Sequence, residues 1–458
     1  MILIIVADND RQPVVTPVSG TRRHNLYETR TTTHTMTPLQ SIKGFKDILP
    51  GESELWQSIE EQAKTVFAAF GFREIRLPML EKTELFARSI GEATDIVEKE
   101  MYTFQDRGGD LLTMRPEATA GIVRAYLQHK LYAQEPVHKF FTIGPMFRRE
   151  RPQKGRYRQF SQINAEIFGV ASPYADAQLI LVLVHLMNGL GVTDAKPHIN
   201  SLGCPACRPA FRTALQDFLA DAGDQLCSDC LRRRETNPLR VLDCKVPGCK
   251  EATQNAPALS DYLCAECRTH FATVRQALDD RGVAYTIDDR LVRGLDYYIR
   301  TTFEIQTGAL GAQNAIAGGG RYDGLARALG GPDIPATGFA IGLDRLAEIV
   351  GSIRRPDLPR PTLYIAALGE DARPMAFQCL SQLNLSGITA EMAYEDKSLK
   401  SQMKRANKLG AAHVLIIGEQ EMQQGKATLR DMATKEQVTI PTDDLAAHLI
   451  ERFHNTGG

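Results

Sequence analysis

The sequence predicts an α+β protein of several domains, on three observations. Between Glu52 and Phe70 the apolar residues recur every three or four positions, and a strand-like segment ending at Pro78 follows; these spacings predict an amphipathic helix and a strand. Eight of the nine cysteines fall between Cys204 and Cys267, which suggests an inserted module. After a proline-rich linker, residues 362–458 contain buried, strand-like runs flanking helical stretches, a pattern typical of a small α/β domain.

Length and composition exclude several classes of protein. A chain of 458 residues, 43% of them hydrophobic, can fill about two to four cores. Its 54 Lys and Arg residues balance 55 Asp and Glu residues, so contacts with nucleic acid must come from local basic patches. No run approaches the roughly 20 apolar residues that span a bilayer, and the first residues lack the cationic flank of a signal peptide. We expect a cytoplasmic protein without a membrane partner.

Breaks in the pattern divide the chain into segments. The residues before Met36 are rich in Thr, Pro and Arg and lack periodicity. We expect either a disordered leader or a start codon placed too early, with translation beginning at Met36. The predicted segments are a leader at 1–37, a first core segment at 38–202, a cysteine-rich insertion at 203–283, a second core segment at 284–350, a linker at 351–361 and a C-terminal domain at 362–458.

An arginine-rich stretch at residues 147–160 predicts a nucleotide site. Arginine presents a planar donor fork that matches phosphate oxygens and stays charged at any working pH. Arg148 and Arg156 can therefore serve phosphates, while Phe160 offers a stacking face for a base. Glu150 can accept a hydrogen bond from an exocyclic amine. On its own, the stretch also fits a basic surface hairpin.

Other residues predict a site for a small substrate. Side chains able to hold an amino group or an imidazole N–H occur at Glu117, Thr119, Gln162 and Glu166. A second arginine stretch, residues 291–298, sets Arg293 five residues before Tyr298 in a segment that favours a strand. The run Gly318–Gly320 permits close backbone approach to a ligand, and Arg345 is expected on a helix that follows a strand. Each feature alone fits an ordinary turn or packing contact, but together they suit ATP plus a small substrate.

Taken in order, these segments resemble a known enzyme family. The helix-strand-proline unit, the Phe-Arg-Arg-Glu stretch at 147–150 and the Gly-Leu-Asp-Arg segment at 342–345 resemble motifs 1, 2 and 3 of class II aminoacyl-tRNA synthetases. Leu-Val-Arg-Gly-Leu-Asp-Tyr-Tyr at 291–298 and Gly-Gly-Gly-Arg-Tyr-Asp-Gly at 318–324 narrow the resemblance to histidyl-tRNA synthetases. The resemblance implies a class II antiparallel-sheet catalytic domain with flanking helices, a mainly helical cysteine-rich insertion and a C-terminal α/β anticodon-binding domain.

The resemblance also implies a reaction and its residues. In that family the carboxylate of L-histidine attacks the α-phosphate of ATP, which is bound with Mg²⁺, and the terminal ribose of the histidine tRNA then takes the histidyl group. Arg293 and Arg148 are implied as the catalytic residues, with Arg293 standing where related enzymes use a metal ion. The implied ATP site comprises Arg148, Glu150, Arg156, Phe160 and Arg345. The implied histidine site comprises Glu117, Thr119, Gln162, Glu166, Tyr298 and Tyr322.

Macromolecular partners follow from the same resemblance. Arg151 and Gln153 match the loop that meets the acceptor end of tRNA in the family. A homodimer is implied, with the unit that ends at Pro78 at its interface. Ala118 stands where the family usually has glycine, a departure that affects only the local backbone geometry.

The cysteine pairs have the spacing of zinc ligands, because two thiolates two residues apart can reach one tetrahedral ion. The eight candidate ligands are Cys204, Cys207, Cys227, Cys230, Cys244, Cys249, Cys264 and Cys267. Many relatives carry other residues in this insertion, so the resemblance does not imply the metal. Structural zinc is predicted, with reduced buried thiols or a lost or partial site as alternatives, and the pairing and number of ions stay open. Cys379 is expected in a core.

Two rival functions use the same features. A regulatory relative without catalysis could use the fold to sense histidine, but such relatives usually lack the C-terminal domain and the adenylation residues. Here Arg148, Arg293, Arg345 and a C-terminal domain are all present, which favours an active enzyme. A zinc-containing RNA-binding protein would not explain the paired histidine-site motifs.

Overall fold

The structure is a computed structural model that describes residues 38–455 except 92, 93, 95, 153, 154, 294, 296, 309–313, 356 and 357. The predicted leader and Gln153 thus lie outside the described residues. Within the described part, we find no helix that is both long enough and apolar enough to cross a membrane.

Eleven strands and ten α-helices precede the linker among the described residues. The strands are β1 (Arg73–Glu74), β2 (Leu80–Lys82), β3 (Tyr102–Gln105), β4 (Leu111–Met114), β5 (His138–Phe147), β6 (Gln159–Phe168), β7 (Lys196–Ser201), β8 (Thr286–Ile287), β9 (Ile299–Gln306), β10 (Ala315–Arg321) and β11 (Ala336–Gly342). The helices are α1 (Ser53–Ala69), α2 (Thr83–Ile90), α3 (Thr119–Gln128), α4 (Pro173–Gly189), α5 (Arg208–Ala222), α6 (Ser228–Thr236), α7 (Pro247–Ala252), α8 (Ala265–Asp279), α9 (Leu325–Ala328) and α10 (Leu343–Ile353).

Eight of these strands form one large sheet in the order β1-β5-β6-β11-β10-β9-β7-β8. The outer pairs β1–β5 and β7–β8 are parallel, and every pair between them is antiparallel. Strands β2, β4 and β3 form a separate antiparallel sheet. A large, mainly antiparallel sheet with helices confirms the predicted α+β class.

The two faces of the large sheet differ in chemistry, because successive strand residues point to opposite sides. On β6, Ile163, Ala165 and Ile167 enter a core that apolar residues of α1, α4 and α10 complete. The intervening Gln162 and Asn164 line a cavity instead. The helices therefore cover one face and leave the other for a functional site.

Helix α1 confirms the predicted amphipathic helix to within a residue at each end. It buries Ile59, Ala63 and Phe67 completely, and the chain then turns at Gly71, whose φ is +80°. The predicted strand that ends at Pro78 was too long, because only β1 pairs, at the edge of the sheet.

The cysteine-rich insertion is mainly helical, as predicted, and a side chain of its last helix contacts helix α4 of the core. Helix α8 presents His270, whose Nε2 lies 2.7 Å from Asp176 Oδ2 on α4. Arg321, the last residue of β10, donates from Nη2 to the other carboxylate oxygen at 2.7 Å. Burial alone would raise the pKa of Asp176, but His270 and Arg321 outweigh it and hold that pKa below its ordinary value. The carboxylate thus joins three elements.

The C-terminal part is an α/β unit with cores of its own. Its sheet has the order β13-β12-β14-β15-β16. The strands are β12 (Leu363–Ala367), β13 (Ala390–Met392), β14 (His413–Ile417), β15 (Lys426–Asp431) and β16 (Gln437–Pro441), and the helices are α11 (Ala372–Leu385), α12 (Leu399–Leu409), α13 (Glu419–Gln423) and α14 (Leu445–Asn455). Apolar residues of α11 and α14 pack on one face of β12 and β14, and those of α12 pack on the other. Cys379 is buried there, as predicted.

One local prediction was wrong. The segment 291–298 was expected to favour a strand, but its described residues form a loop before β9, which begins at Ile299. As a loop, the segment brings the Arg293 guanidinium to Glu304 on β9, a tertiary contact that the local pattern does not predict.

The Asp176 contact generates a stability prediction. Asp176→Asn should lower the free energy of unfolding by about 3–5 kcal/mol, because it removes the buried counter-charge of the fully buried Arg321 guanidinium and leaves it only the partly exposed Asp323. Denaturant titration measures this change. The matched control is Asp333→Asn, which removes a pair with Arg327 whose side chains are 69% exposed and should cost less than about 1 kcal/mol. Equal effects for the two variants would contradict the role assigned to Asp176.

Candidate active site

A cavity of about 630 Å³ opens over the polar face of the large sheet, within the usual size range of ligand sites. Ten of the residues predicted from the sequence line it: Glu117, Thr119, Arg148, Glu150, Arg156, Phe160, Gln162, Arg293, Tyr298 and Arg345. Glu166 and Tyr322 are buried beside it and connect to it through Thr119. Arg151 is not among the residues that line the cavity.

Small residues on β11 form the floor of this site. Gly338 lies opposite Glu166 in the strand register, and a Cβ atom on Gly338 would stand 1.4 Å from Glu166 Oε2. Ala340 and Gly342 face the cavity at the next two alternate positions. The absence of larger side chains at these three positions lets the long side chains of neighbouring elements lie across the strand.

Glu166 is a completely buried carboxyl group held by two hydroxyl groups. Thr119 Oγ1 donates to its Oε1 at 2.7 Å, and the Tyr322 hydroxyl donates to its Oε2 at 2.5 Å. Burial raises the pKa of Glu166 to about 8, although the two hydrogen bonds act in the opposite direction. Burial therefore favours the protonated form of the group, whereas a ligand that presents an N–H donor or a positive charge favours the carboxylate.

Glu117 lies two residues before Thr119, the first residue of helix α3, and its side chain is bound by the backbone of the first turn. Its two carboxylate oxygens accept from the backbone N–H groups of Thr119 at 2.7 Å and Ala120 at 2.8 Å. Such bonds satisfy amides that the first turn of a helix leaves unpaired. The carboxylate is thereby fixed in place at the cavity wall.

Arg293 crosses the far side of the floor. Its Nη1 donates to Glu304 Oε1 at 2.5 Å, and its Cζ lies 5.6 Å from the centre of the Tyr298 ring. A Cβ atom on Gly318 would stand 2.4 Å from Arg293 Nη1, so this glycine makes room for the guanidinium. Burial alone would lower the pKa of Arg293, but Glu304 keeps it above its ordinary value, and the side chain stays charged.

The residues predicted to bind the nucleotide lie on the opposite wall of the cavity. Arg148 Nε donates to the Pro116 carbonyl at 2.8 Å, and its Cζ lies 5.2 Å from the centre of the Phe160 ring. Arg156 Nη1 donates to Glu150 Oε2 at 3.0 Å. The arrangement places fixed cations next to an aromatic face, as phosphate and base recognition require.

Comparison with known proteins shows which family this chain belongs to. Residues 44–346 match the family model described as histidyl-tRNA synthetase. The chain belongs to the histidyl-tRNA synthetase family. Residues 362–452 match the anticodon binding domain model, which agrees with the predicted C-terminal domain.

Individual members of the family align over almost their whole length. A histidine–tRNA ligase of Desulforapulum autotrophicum is 60% identical over 420 residues, covering 92% of this chain and 99% of that protein. One of Desulfatibacillum aliphaticivorans is 60% identical over 407 residues, covering 89% and 97%. The crystal structure of apo S. aureus histidyl-tRNA synthetase superposes with a TM-score of 0.75 at 34% identity, covering 90% of this chain and all of that one.

Some residues at the site were missed by the sequence prediction. Asn164 lies between Gln162 and Glu166 on the polar face of β6, and the two-residue spacing of these polar positions was a signal that could have found it. Residues 242–245 of the insertion also line the cavity. No local pattern predicts them, because only tertiary packing brings the insertion to the site.

The eight insertion cysteines form two separate groups. One contains Cys204, Cys207, Cys264 and Cys267, and the other contains Cys227, Cys230, Cys244 and Cys249; within each group all sulfur atoms lie within 4.8 Å of one another. Measured Sγ–Sγ distances include 3.7 Å for Cys204–Cys207 and 3.9 Å for Cys227–Cys244. Four sulfurs at about 2.3 Å from one zinc ion are about 3.8 Å apart. Both donor sets therefore fit a tetrahedral zinc ion.

The raised pKa of Glu166 generates a pH prediction. A neutral buried carboxyl stabilises the fold fully below pH 4.5, its ordinary pKa, and this contribution is lost as pH rises through about 8. Between about pH 6.5 and about pH 9, the free energy of unfolding should fall by roughly 2 kcal/mol more in the wild type than in Glu166→Gln. Thermal and denaturant unfolding at both pH values measure the difference. Glu370→Gln, which changes a 91% exposed side chain, should follow the wild type, whereas a wild-type slope in Glu166→Gln would refute the shift.

Proposed function

We propose that this protein ligates L-histidine to its tRNA with ATP, through a histidyl-adenylate intermediate. The proposal rests on one observation: a single cavity has a buried carboxyl group, Glu166, beside it and two fixed guanidinium groups, Arg148 and Arg293, in its lining. In the first step a histidine carboxylate oxygen attacks the α-phosphorus and pyrophosphate leaves. In the second step a ribose hydroxyl of the tRNA attacks the activated carbonyl and AMP leaves.

Charge on phosphate oxygens develops in the first step, and preorganised cations stabilise it without reorganising. We assign that role to Arg293 and Arg148, because carbonyl, carboxylate and aromatic contacts already hold both guanidinium groups in place. Mg²⁺ would accompany ATP and bind mainly its phosphates. The remaining residues proposed for ATP are Glu150, Arg156, Phe160 and Arg345.

Selectivity for histidine would come from paired polar groups. An imidazole has one N–H donor and one acceptor nitrogen, and Glu166 and Tyr298 supply the complementary groups in our proposal. Analogues without the ring nitrogens would leave these buried groups unpaired, which disfavours them strongly. Glu117, Thr119, Gln162 and Tyr322 complete the proposed site.

The assembly in which this chemistry occurs is also a proposal. Arg151 and Gln153 would meet the acceptor end of the tRNA, and residues 362–458 would bind its anticodon. We propose a homodimer with the segment ending at Pro78 at its interface, acting in the cytoplasm, where charged tRNA is used. The domain boundaries 1–37, 38–202, 203–283, 284–350, 351–361 and 362–458 stand as predictions.

Each cysteine group is proposed to hold one structural zinc ion. A cluster of four thiols a bond length from a common centre is the usual donor set for such an ion. Two ions would fix the short helices of the insertion, which otherwise has few long elements. In this proposal each ion binds the four cysteines of one group, and the proximity of their sulfur atoms supports that pairing.

Zinc content tests the metal proposal. The purified protein should contain two zinc ions per chain by elemental mass spectrometry, and Cys204→Ser and Cys244→Ser should each reduce the content to one. Cys379→Ser alters a buried cysteine outside both groups and should keep two. Wild-type protein that binds no zinc after reduction and exposure to the metal would refute the proposal.

Arg293→Ala tests the catalytic assignment. Histidine-dependent exchange of pyrophosphate into ATP should fall roughly a hundred- to thousandfold, because a preorganised charge at the phosphate is lost. Arg281→Ala, which removes an exposed arginine just after α8, should retain wild-type exchange. Near-normal exchange in a folded Arg293→Ala protein would remove Arg293 from the mechanism.

The function itself is tested by the same exchange assay with each amino acid supplied singly. Exchange that depends on histidine and on none of the other amino acids supports adenylation and its specificity together. A folded protein that binds histidine without supporting exchange would instead be a regulatory relative.

A further inference from the structure

Three buried polar atoms at the site have no hydrogen-bond partner among the described residues: Gln162 Oε1, Asn164 Oδ1 and Arg293 Nε. Asn164 is only 1% exposed, and its side chain lines the cavity. Leaving a buried polar atom unpaired costs about 1–3 kcal/mol, so native structures pair nearly all of them. Three such atoms around one cavity point to a ligand that supplies the missing partners.

The strand register fixes where Asn164 stands. Thr142, Asn164, Ala340, Gly318 and Glu304 are successive partners across β5, β6, β11, β10 and β9. Partners in such a row point to the same face of the sheet. The guanidinium of Arg293 occupies the space over Gly318, and Ala340 separates it from Asn164 by only a methyl group. Asn164 therefore lies on the cavity side of the sheet, beside Gln162 and one alternate position from Glu166.

The part of the cavity beside Asn164 offers hydrogen-bond acceptors rather than donors. Guanidinium donors for an oxyanion are already present in Arg148 and Arg293, whereas the unpaired oxygens of Gln162 and Asn164 can only accept. Glu117, a residue of the proposed histidine site, already accepts two backbone amides. Gln162 and Asn164 are two residues apart on one strand face, about 7 Å between their Cα atoms, so one nitrogen between them can donate to both oxygens.

We infer that Asn164 is a further substrate-contacting residue, whose Oδ1 accepts a hydrogen bond from the α-ammonium group of the amino acid, beside Gln162 Oε1. The inference deepens the proposed function and rests on it. A neutral amide suits this place because it accepts from the ammonium group without repelling the carboxylate that must approach the phosphate.

Binding of three ligands to Asn164→Ala by calorimetry tests the inference. L-histidine has the ammonium and carboxylate groups, L-histidinol keeps only the ammonium, and imidazole-4-propionate keeps only the carboxylate. Affinity for histidine and histidinol should fall about ten- to hundredfold, as expected for a hydrogen bond to a charged group. Affinity for imidazole-4-propionate should stay within about threefold of the wild type.

Two further variants serve as controls for this experiment. Asn164→Leu keeps the side-chain volume and removes the acceptor, so it should reproduce the pattern even if the alanine variant folds poorly. Thr142→Ala alters the neighbouring position in the same row, which lies outside the cavity lining, and should leave all three affinities unchanged.

The other outcomes overturn the inference in distinguishable ways. Loss for histidine and imidazole-4-propionate with histidinol unchanged would place Asn164 at the carboxylate. Equal loss for all three ligands would indicate a structural role, and no loss would remove Asn164 from the site. Wild-type protein that binds none of the three would overturn the proposed function itself, which the exchange assay reports separately.

Discussion

A carboxyl group buried in a protein needs hydrogen-bond partners and space, and the site is built around meeting that constraint at Glu166. Thr119, at the start of α3, and Tyr322, just after β10, supply the partners. Arg321, next to Tyr322, is in turn fixed by Asp176, which also holds helix α8 of the insertion. One continuous set of contacts thus runs from the cysteine-rich insertion to the base of the cavity.

Local patterns sufficed for some parts of this structure. The apolar spacing of α1, the buried strands β12 and β14, and the placement of Arg345 on a helix after β11 all depend on neighbouring residues, and all were predicted from the sequence. The residue types of the site were also available, because the arginine and glycine motifs are specific to the histidyl-tRNA synthetase family. Their contacts were not: the loop that carries Arg293 and the two-residue length of β1 depend on partners far along the chain.

The cysteine-rich insertion is a second case in which the local sequence pattern did not predict the tertiary contacts. Spacing identified eight candidate zinc ligands but could not pair them, because one group joins cysteines near both ends of the insertion while the other lies between them in sequence. Cys244, a member of one group, is itself among residues 242–245, which line the cavity. Arg240, on the same stretch, donates to the backbone carbonyl of Arg293 at 3.4 Å. The insertion is therefore part of the cavity wall.

The glycine at 338 has an evolutionary consequence. Since a single added methyl group would collide with the Glu166 carboxylate, the two positions cannot drift independently. A shorter residue at 166 would leave an empty volume above β11, and a larger residue at 338 would expel the carboxylate. Any side chain at 338 would thus require a shorter residue at 166, so substitutions that enlarge position 338 depend on a change at position 166.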